Sequence, residues 1–182
     1  MVFFFKFNRH SLIFKLMEER KKIDWSSFTV NLPLDNSEEE IINAWLTQEA
    51  LEKWFLRLAE FSTPSGEKRK RQEQIKPGDT YRWQWFGWPD SVEEHGKILN
   101  PEQAEFLRFQ FGKAGIVGVR VVVEHGHNIL RLVQEKIPQD EESKMNFYVG
   151  CKTGWTFYLL NLKSKLQEGP DLRNRKSELH MD

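Results

Sequence analysis

The sequence predicts an α+β domain in which a curved antiparallel sheet of about six to seven strands closes around one long C-terminal helix. Three observations carry that prediction. From Glu142 to Gln167, Tyr148, Cys151, Trp155, Tyr158, Leu159, Leu162 and Leu166 recur at steps of three and four, one face of a long amphipathic helix. Upstream, short runs of alternating apolar and polar residues are separated by turn signals, the pattern of half-buried strands joined as hairpins. Two helix-start signals directly after the first strand place two short helices ahead of the rest of the sheet.

The elements follow in order. Trp25, Phe28, Val30 and Leu32 mark a first strand within Asp24 to Leu32, expected to end at Pro33. Ser37-Glu38-Glu39-Glu40 has the form of a capping box, and its acids suit the positive end of a helix dipole. Thr47 is a second N-cap, with Ala50, Leu51, Trp54 and Phe55 on the buried side of the helix it opens. A strand is expected over Leu58 to Thr63, a turn at Pro64-Ser65-Gly66, and a solvated arm over the charge run Glu67 to Arg71. Tyr81, Trp83 and Trp85 alternate and so share one face of the next strand. Four further strands are expected over Val92 to Leu99, Ala104 to Phe111, Val117 to Glu124 and Asn128 to Ile137. Strand parity groups Leu107, Phe109 and Phe111, then Val119, Val121 and Val123, then Leu130, Leu132 and Gln134. Gly169-Pro170 stops the long helix, and a polar tail expected to be disordered runs to Asp182.

This organisation is one domain over residues 17–168, preceded by a segment over 1–16 and followed by a tail over 169–182. Phe3 to Phe5 begin like a secretory signal, but Lys6, Asn8, Arg9 and His10 break the run and no small-residue cleavage site follows. The expectation is an upstream extension ahead of a start at Met17, with an interfacial basic–aromatic anchor as the alternative. The segment is too short and too charged for stable membrane insertion.

Composition narrows the function classes. Lysines and arginines number 27 and acids 27, for a formal net charge of +0, so no global field attracts nucleic acid or an anionic membrane. The basic run Lys68-Arg69-Lys70-Arg71 lacks interleaved aromatics and reads as a solvated arm. One cysteine excludes an intrachain disulfide and fits a reducing, cytoplasmic setting. Seven tryptophans and fourteen phenylalanines are many for 182 residues, and they form the candidate site.

Three stretches carry a resemblance. They are Ala44-Trp45-Leu46-Thr47 through Glu52-Lys53-Trp54-Phe55, then Gly78-Asp79-Thr80-Tyr81-Arg82-Trp83-Gln84-Trp85, then Gly154-Trp155 through Leu159 and Leu162-Lys163. Gly96-Lys97-Ile98-Leu99-Asn100-Pro101 and Leu107-Arg108-Phe109 continue the second. With the order of elements, they resemble the helix-grip fold of the START-like (SRPBCC) superfamily. Within it, the sequence is most similar to the family named after the activator of the heat-shock-90 chaperone's ATPase. The resemblance covers roughly Trp25 to Leu166. It implies a sheet gripping the terminal helix around a cavity where many relatives hold lipids, sterols, polyketides or other apolar molecules. Chaperone-activating members carry an additional N-terminal domain whose motif this sequence does not show, so chaperone activation is not implied.

On that architecture Trp54, Tyr81, Trp83, Trp85, Phe109 and Trp155 point into the gap between helix and sheet, joined by Val121, Leu132, Gln134, Cys151 and Tyr158. These eleven are the candidate ligand-binding residues. Indole N–H groups want partners and large rings rarely pack without gaps, so a ligand cavity and a filled aromatic core are both open readings. Tyr81, Tyr158 and Gln134 are the candidate polar handles. No catalytic set stands out: Cys151 has no adjacent base, and Glu105, Arg108 and Arg120 fall on the outer face by parity. Glu124-His125-Gly126-His127 brings two histidines together at a turn without a third metal ligand at a recognisable interval. No cofactor or metal is expected. Val149, Phe157 and Leu160 lie off the main helix stripe; the expectation is a sheet that curls far round the helix, with self-association as the alternative. The reading is therefore a pocket for a hydrophobic small molecule or lipid, the alternative being a protein-interaction module, chaperone-cofactor-like or self-associating, with a filled core.

Overall fold

A computed structural model describes residues 23–176 and Leu179. The expected extension over 1–16 and the start at Met17 lie outside the described residues. Seven strands form a single antiparallel sheet in the order β1-β7-β6-β5-β4-β3-β2. They are β1 (Phe28–Leu34), β2 (Leu58–Ser62), β3 (Thr80–Gln84), β4 (Glu94–Leu99), β5 (Leu107–Gln110), β6 (Ile116–Glu124) and β7 (His127–Glu135). Two short helices, α1 (Glu38–Asn43) and α2 (Gln48–Trp54), follow β1. A helical column then runs through α3 (Glu141–Ser143), a π-helical stretch (Lys144–Gly150) and α4 (Cys151–Leu166). This is the helix-grip arrangement.

Local chemistry accounts for the elements. Ser37 and Glu40 close the capping box reciprocally, Ser37 N–H to Glu40 Oε2 at 2.9 Å and Glu40 N–H to Ser37 Oγ at 3.3 Å. Thr47 Oγ1 accepts the Ala50 N–H at 3.1 Å and starts α2. The β6–β7 hairpin turns through His125 and Gly126, both at positive φ, which matches the twist of the strands it joins.

Three expectations need correction. Pro33 does not end the first strand: it lies inside β1, opposite Ile129. β1 is an edge strand, where a residue without an N–H is tolerated. The strand expected from Ala104 begins only at Leu107, because Gln103 and Ala104 turn at positive φ. The basic run is not wholly solvated. Arg69 is buried to 7% side-chain exposure and grips Asp79 with a two-pronged ion pair, Nη2 to Oδ1 at 2.9 Å and Nε to Oδ2.

The tail is also more ordered than its composition suggests. Arg173 is buried and donates to the carbonyls of Glu52 (3.1 Å), Lys53 (3.0 Å) and Leu56 (3.0 Å) at the end of α2. Asn161 of α4, fully buried, adds a 2.6 Å bond to the Trp54 carbonyl and accepts the Leu172 N–H at 2.7 Å. The orphan carbonyls of α2 are thus satisfied from α4 and the tail, which locks three segments together.

Candidate functional site

The gap between sheet and helix divides into two unlike halves. In the first, side chains fill the space. Trp45, Trp54, Trp83, Phe109, Leu132, Leu159 and Leu162 are each at most 2% exposed. Tyr81 stacks on Trp83 with centroids 3.8 Å apart, and Phe109 meets Trp83 edge-on at 5.2 Å. Trp54 donates its indole N–H to the Ala44 carbonyl at 2.9 Å, whereas those of Trp45 and Trp83 have no partner among the described residues. The filled-core reading describes this half.

In the second half a cavity of about 960 Å³ opens between the helical column and the ends of β3, β4 and β5. That is the size of a pocket for a drug-sized molecule. Phe55, Trp85, Trp88, Phe111, Phe147 and Trp155 supply aromatic wall, and Cys151 and Tyr158 complete the helix side. Phe55 is the partition between the halves: its ring lies 5.0 Å from both Trp155 and Tyr158 and 6.1 Å from Trp85.

The helix sequence explains why the space exists. Toward its C-terminal end the column presents Leu159 and Leu162 to the sheet; toward its N-terminal end it presents Gly150, Cys151 and Gly154. A Cβ built on Gly154 would meet nothing within 4 Å. The π-helical turns lie over the same region and contribute Asn146 and Phe147 to the lining. Such widened turns are often found at functional sites.

The eleven residues expected at a ligand site therefore separate. Trp85, Cys151, Trp155 and Tyr158 line the cavity together. Trp54, Tyr81, Trp83, Phe109 and Leu132 belong to the filled half, and Val121 is half-buried against the core. Gln134 is buried between two partners: it accepts the Trp155 indole N–H at 2.8 Å and donates to the Ala114 carbonyl at 2.9 Å. Of the three expected polar handles, Gln134 is committed in this way and Tyr81 donates to the Gln110 carbonyl at 2.6 Å. The Tyr158 hydroxyl makes no hydrogen bond among the described residues; burial pushes its phenol up to about 12, so it stays a neutral donor. Burial likewise pushes the Cys151 thiol up, which suits a wall residue rather than a nucleophile.

Sequence reasoning missed Glu94, Phe111 and the two helix glycines. Glu94 lines the cavity half-buried. Parity could have found it, since it shares a strand face with Gly96 and the buried Ile98. His125 and His127 are exposed at the β6–β7 turn and do not line this cavity. Among the described residues no group of three or more His, Cys, Asp or Glu side chains is placed to hold a metal. Val149 (39% exposed) and Leu160 (49%) stand uncovered on the outer helix face, so the sheet does not curl round to them as expected.

A helix gripped by a seven-stranded antiparallel sheet, with a cavity at one end of the gap, is the architecture of the START/SRPBCC superfamily. The family model described as "Activator of Hsp90 ATPase homolog 1-like protein" matches residues 35–167, and the chain belongs to that family. It is thereby a ligand-binding or interaction domain in general terms. Among solved structures, a Staphylococcus saprophyticus protein is similar at 16% identity and a TM-score of 0.59, over 81% of this chain and 96% of that one. The Aha1 dimer from Colwellia psychrerythraea is similar at 16% identity and a TM-score of 0.58, over 79% and 97%. A Chromobacterium violaceum protein is similar at 20% identity and a TM-score of 0.53, over 80% and 99%. At such identities these likenesses speak for the fold alone. No curated protein matches the chain at a significant level. Among the described residues no helix is long and apolar enough to cross a membrane.

Proposed function

We propose that this protein binds a hydrophobic small molecule in the open half of the gap between its sheet and its terminal helix. The observation that supports this reading is the hollow itself. Its walls are aromatic, and the helix facing it carries glycines where large side chains would have closed it. Burial of an apolar ligand against these rings supplies the driving force, about 25 cal/mol for each Å² removed from water. Trp85, Trp155 and Phe111 act as walls, and the Tyr158 hydroxyl is the free donor for orientation. The open half favours this reading over a pure interaction module with a filled core. A cytoplasmic setting fits a chain whose single cysteine is a free thiol.

Native mass spectrometry of protein from its own cells, followed by fluorescence titration with apolar compounds, tests the proposal. The expected result is a retained ligand or a shift in tryptophan emission, abolished in Gly154→Phe while the melting temperature holds. No retained mass and no emission change across sterols, fatty acids and aromatic compounds would contradict it.

A second reading stands beside this one because Met145, Val149 and Leu160 expose apolar surface along the outer helix face. We propose that this face meets a second copy of the chain; the similar Colwellia protein was solved as a dimer. Sedimentation giving a monomer at all concentrations would remove it.

A further inference from the structure

The cavity contains one polar group that its architecture does not explain. Glu94 sits on the strand face that looks into the hollow, and the only hydrogen bond its carboxylate accepts among the described residues comes from the adjacent His95 backbone N–H, at 3.0 Å. No Lys, Arg or His nitrogen among the described residues lies within 4.0 Å of it. Its neighbour Glu93 differs sharply, being tied to Arg82 at 2.6 Å, Gln84 at 2.8 Å and His95 at 3.1 Å. The backbone makes room for the Glu94 carboxylate: a Cβ on Gly112, which itself turns at positive φ, would fall 2.3 Å from Glu94 Oε1. A lone, partly dry carboxylate beside aromatic faces is half of a recognition site for a cation. The missing half is a positive charge on an apolar body.

We propose that the ligand of this cavity is an organic cation, a primary or substituted ammonium carried on an aromatic or aliphatic skeleton, with its charge held at Glu94. The skeleton lies along Trp155, Phe111 and Phe55, and the ring faces of Trp85 and Trp88 at the mouth add attraction for the charge. Desolvation raises the Glu94 carboxyl above its ordinary value, a cost that an arriving counter-charge offsets. Among the described residues the lining carries two side chains that can be cationic, Lys113 and His95; both are exposed, so solvent screens their repulsion, and His95 is paired with Glu93.

This inference rests on the binding reading above, and a matched series separates the two. Naphthylmethylammonium, naphthylmethanol and naphthoate share one ring system and differ only in the charge of the head. Isothermal titration should give the ammonium about tenfold tighter binding than the alcohol, the gain of one charge-assisted hydrogen bond in a partly dry site. Naphthoate should bind weakest. Glu94→Gln should erase the preference and leave alcohol affinity within about twofold. Should that variant melt early, Glu94→Asp, which keeps the charge but retracts it, should weaken the ammonium selectively. Equal binding of all three heads, or an ammonium preference that survives Glu94→Gln, would overturn the cation inference and leave hydrophobic binding standing. Failure of every compound to bind would overturn both.

Discussion

Trp83 and Trp85 stand two residues apart, Trp83 inside β3 and Trp85 just past its end at Gln84, yet one lies in packed interior and the other on a cavity wall. What separates them is the partner across the gap. Trp83 is enclosed by Phe55, Phe61, Tyr81 and Phe109, whose centroids lie 3.8 to 6.3 Å away. Trp85 faces the stretch of helix where Gly150, Cys151 and Gly154 leave the space empty. In this protein the sheet alone does not decide where the hollow forms. The helix decides, through the size of the side chains it presents.

The two halves should differ most in what they contribute to stability. Trp83→Ala removes a filled ring from close-packed surroundings and should cost about 4 kcal/mol in urea unfolding. Trp85→Ala should cost about 1 kcal/mol, because much of its surface already faces a void, while weakening any ligand. Equal losses would show that the halves are packed alike.

Next is the latch that holds the filled half. Arg173→Met leaves the carbonyls of Glu52, Lys53 and Leu56 without these donors and takes from Asp171 its guanidinium pair; the Asn161 amide and the more distant Arg175 remain to it. We expect a loss of about 3 kcal/mol by thermal or urea unfolding. An unchanged midpoint would mean that the tail is an ornament.

The same latch has a pH signature. Burial pushes the Asp171 carboxyl up, but hydrogen bonds from Arg173 and its charge outweigh that and hold the carboxyl down at about 2, against an ordinary 3.8. A depressed folded-state value contributes stability that is complete above the ordinary value and lost as pH falls from there toward 2. After screening by solvent the contribution is about 1 kcal/mol. The stability difference between the protein and Asp171→Asn should therefore shrink on acidification across that window, and a difference that grows would reverse the assignment.

The smallest effect sharpens the account of the hollow half. Gly154→Ala adds a methyl group into open space and restricts the unfolded chain, so it should stabilise by about 0.5 kcal/mol. Destabilisation would reveal a contact on that helix face.

Much of this was legible in the residues. The capping box at Ser37, the alternation Tyr81-Arg82-Trp83 (although the strand ends at Gln84, before Trp85) and the stripe Trp155-Leu159-Leu162 each state their element directly. Edge position was not legible, which is why Pro33 misled: whether a strand lies at an edge depends on pairing with β7, almost 100 residues on. The π-helical turns were hidden as well, because helical periodicity is blind to a widened turn. For the site, the aromatic inventory identified the gap but not which part of it is full. Large residues draw attention and absent side chains do not, although Gly150 and Gly154 beside Cys151 decide the answer. Arg173 was concealed by the polarity of its tail, since nothing local reveals that a charged residue will meet the bare end of a distant helix.

The most direct test follows the indole N–H resonances during titration with an apolar aromatic compound. Perturbation confined to Trp85, Trp88 and Trp155, with Trp45, Trp54 and Trp83 unmoved, is the expected result. Perturbation centred on Trp45, Trp54 and Trp83 would contradict the division of the gap, and silence from all six would contradict ligand binding in it.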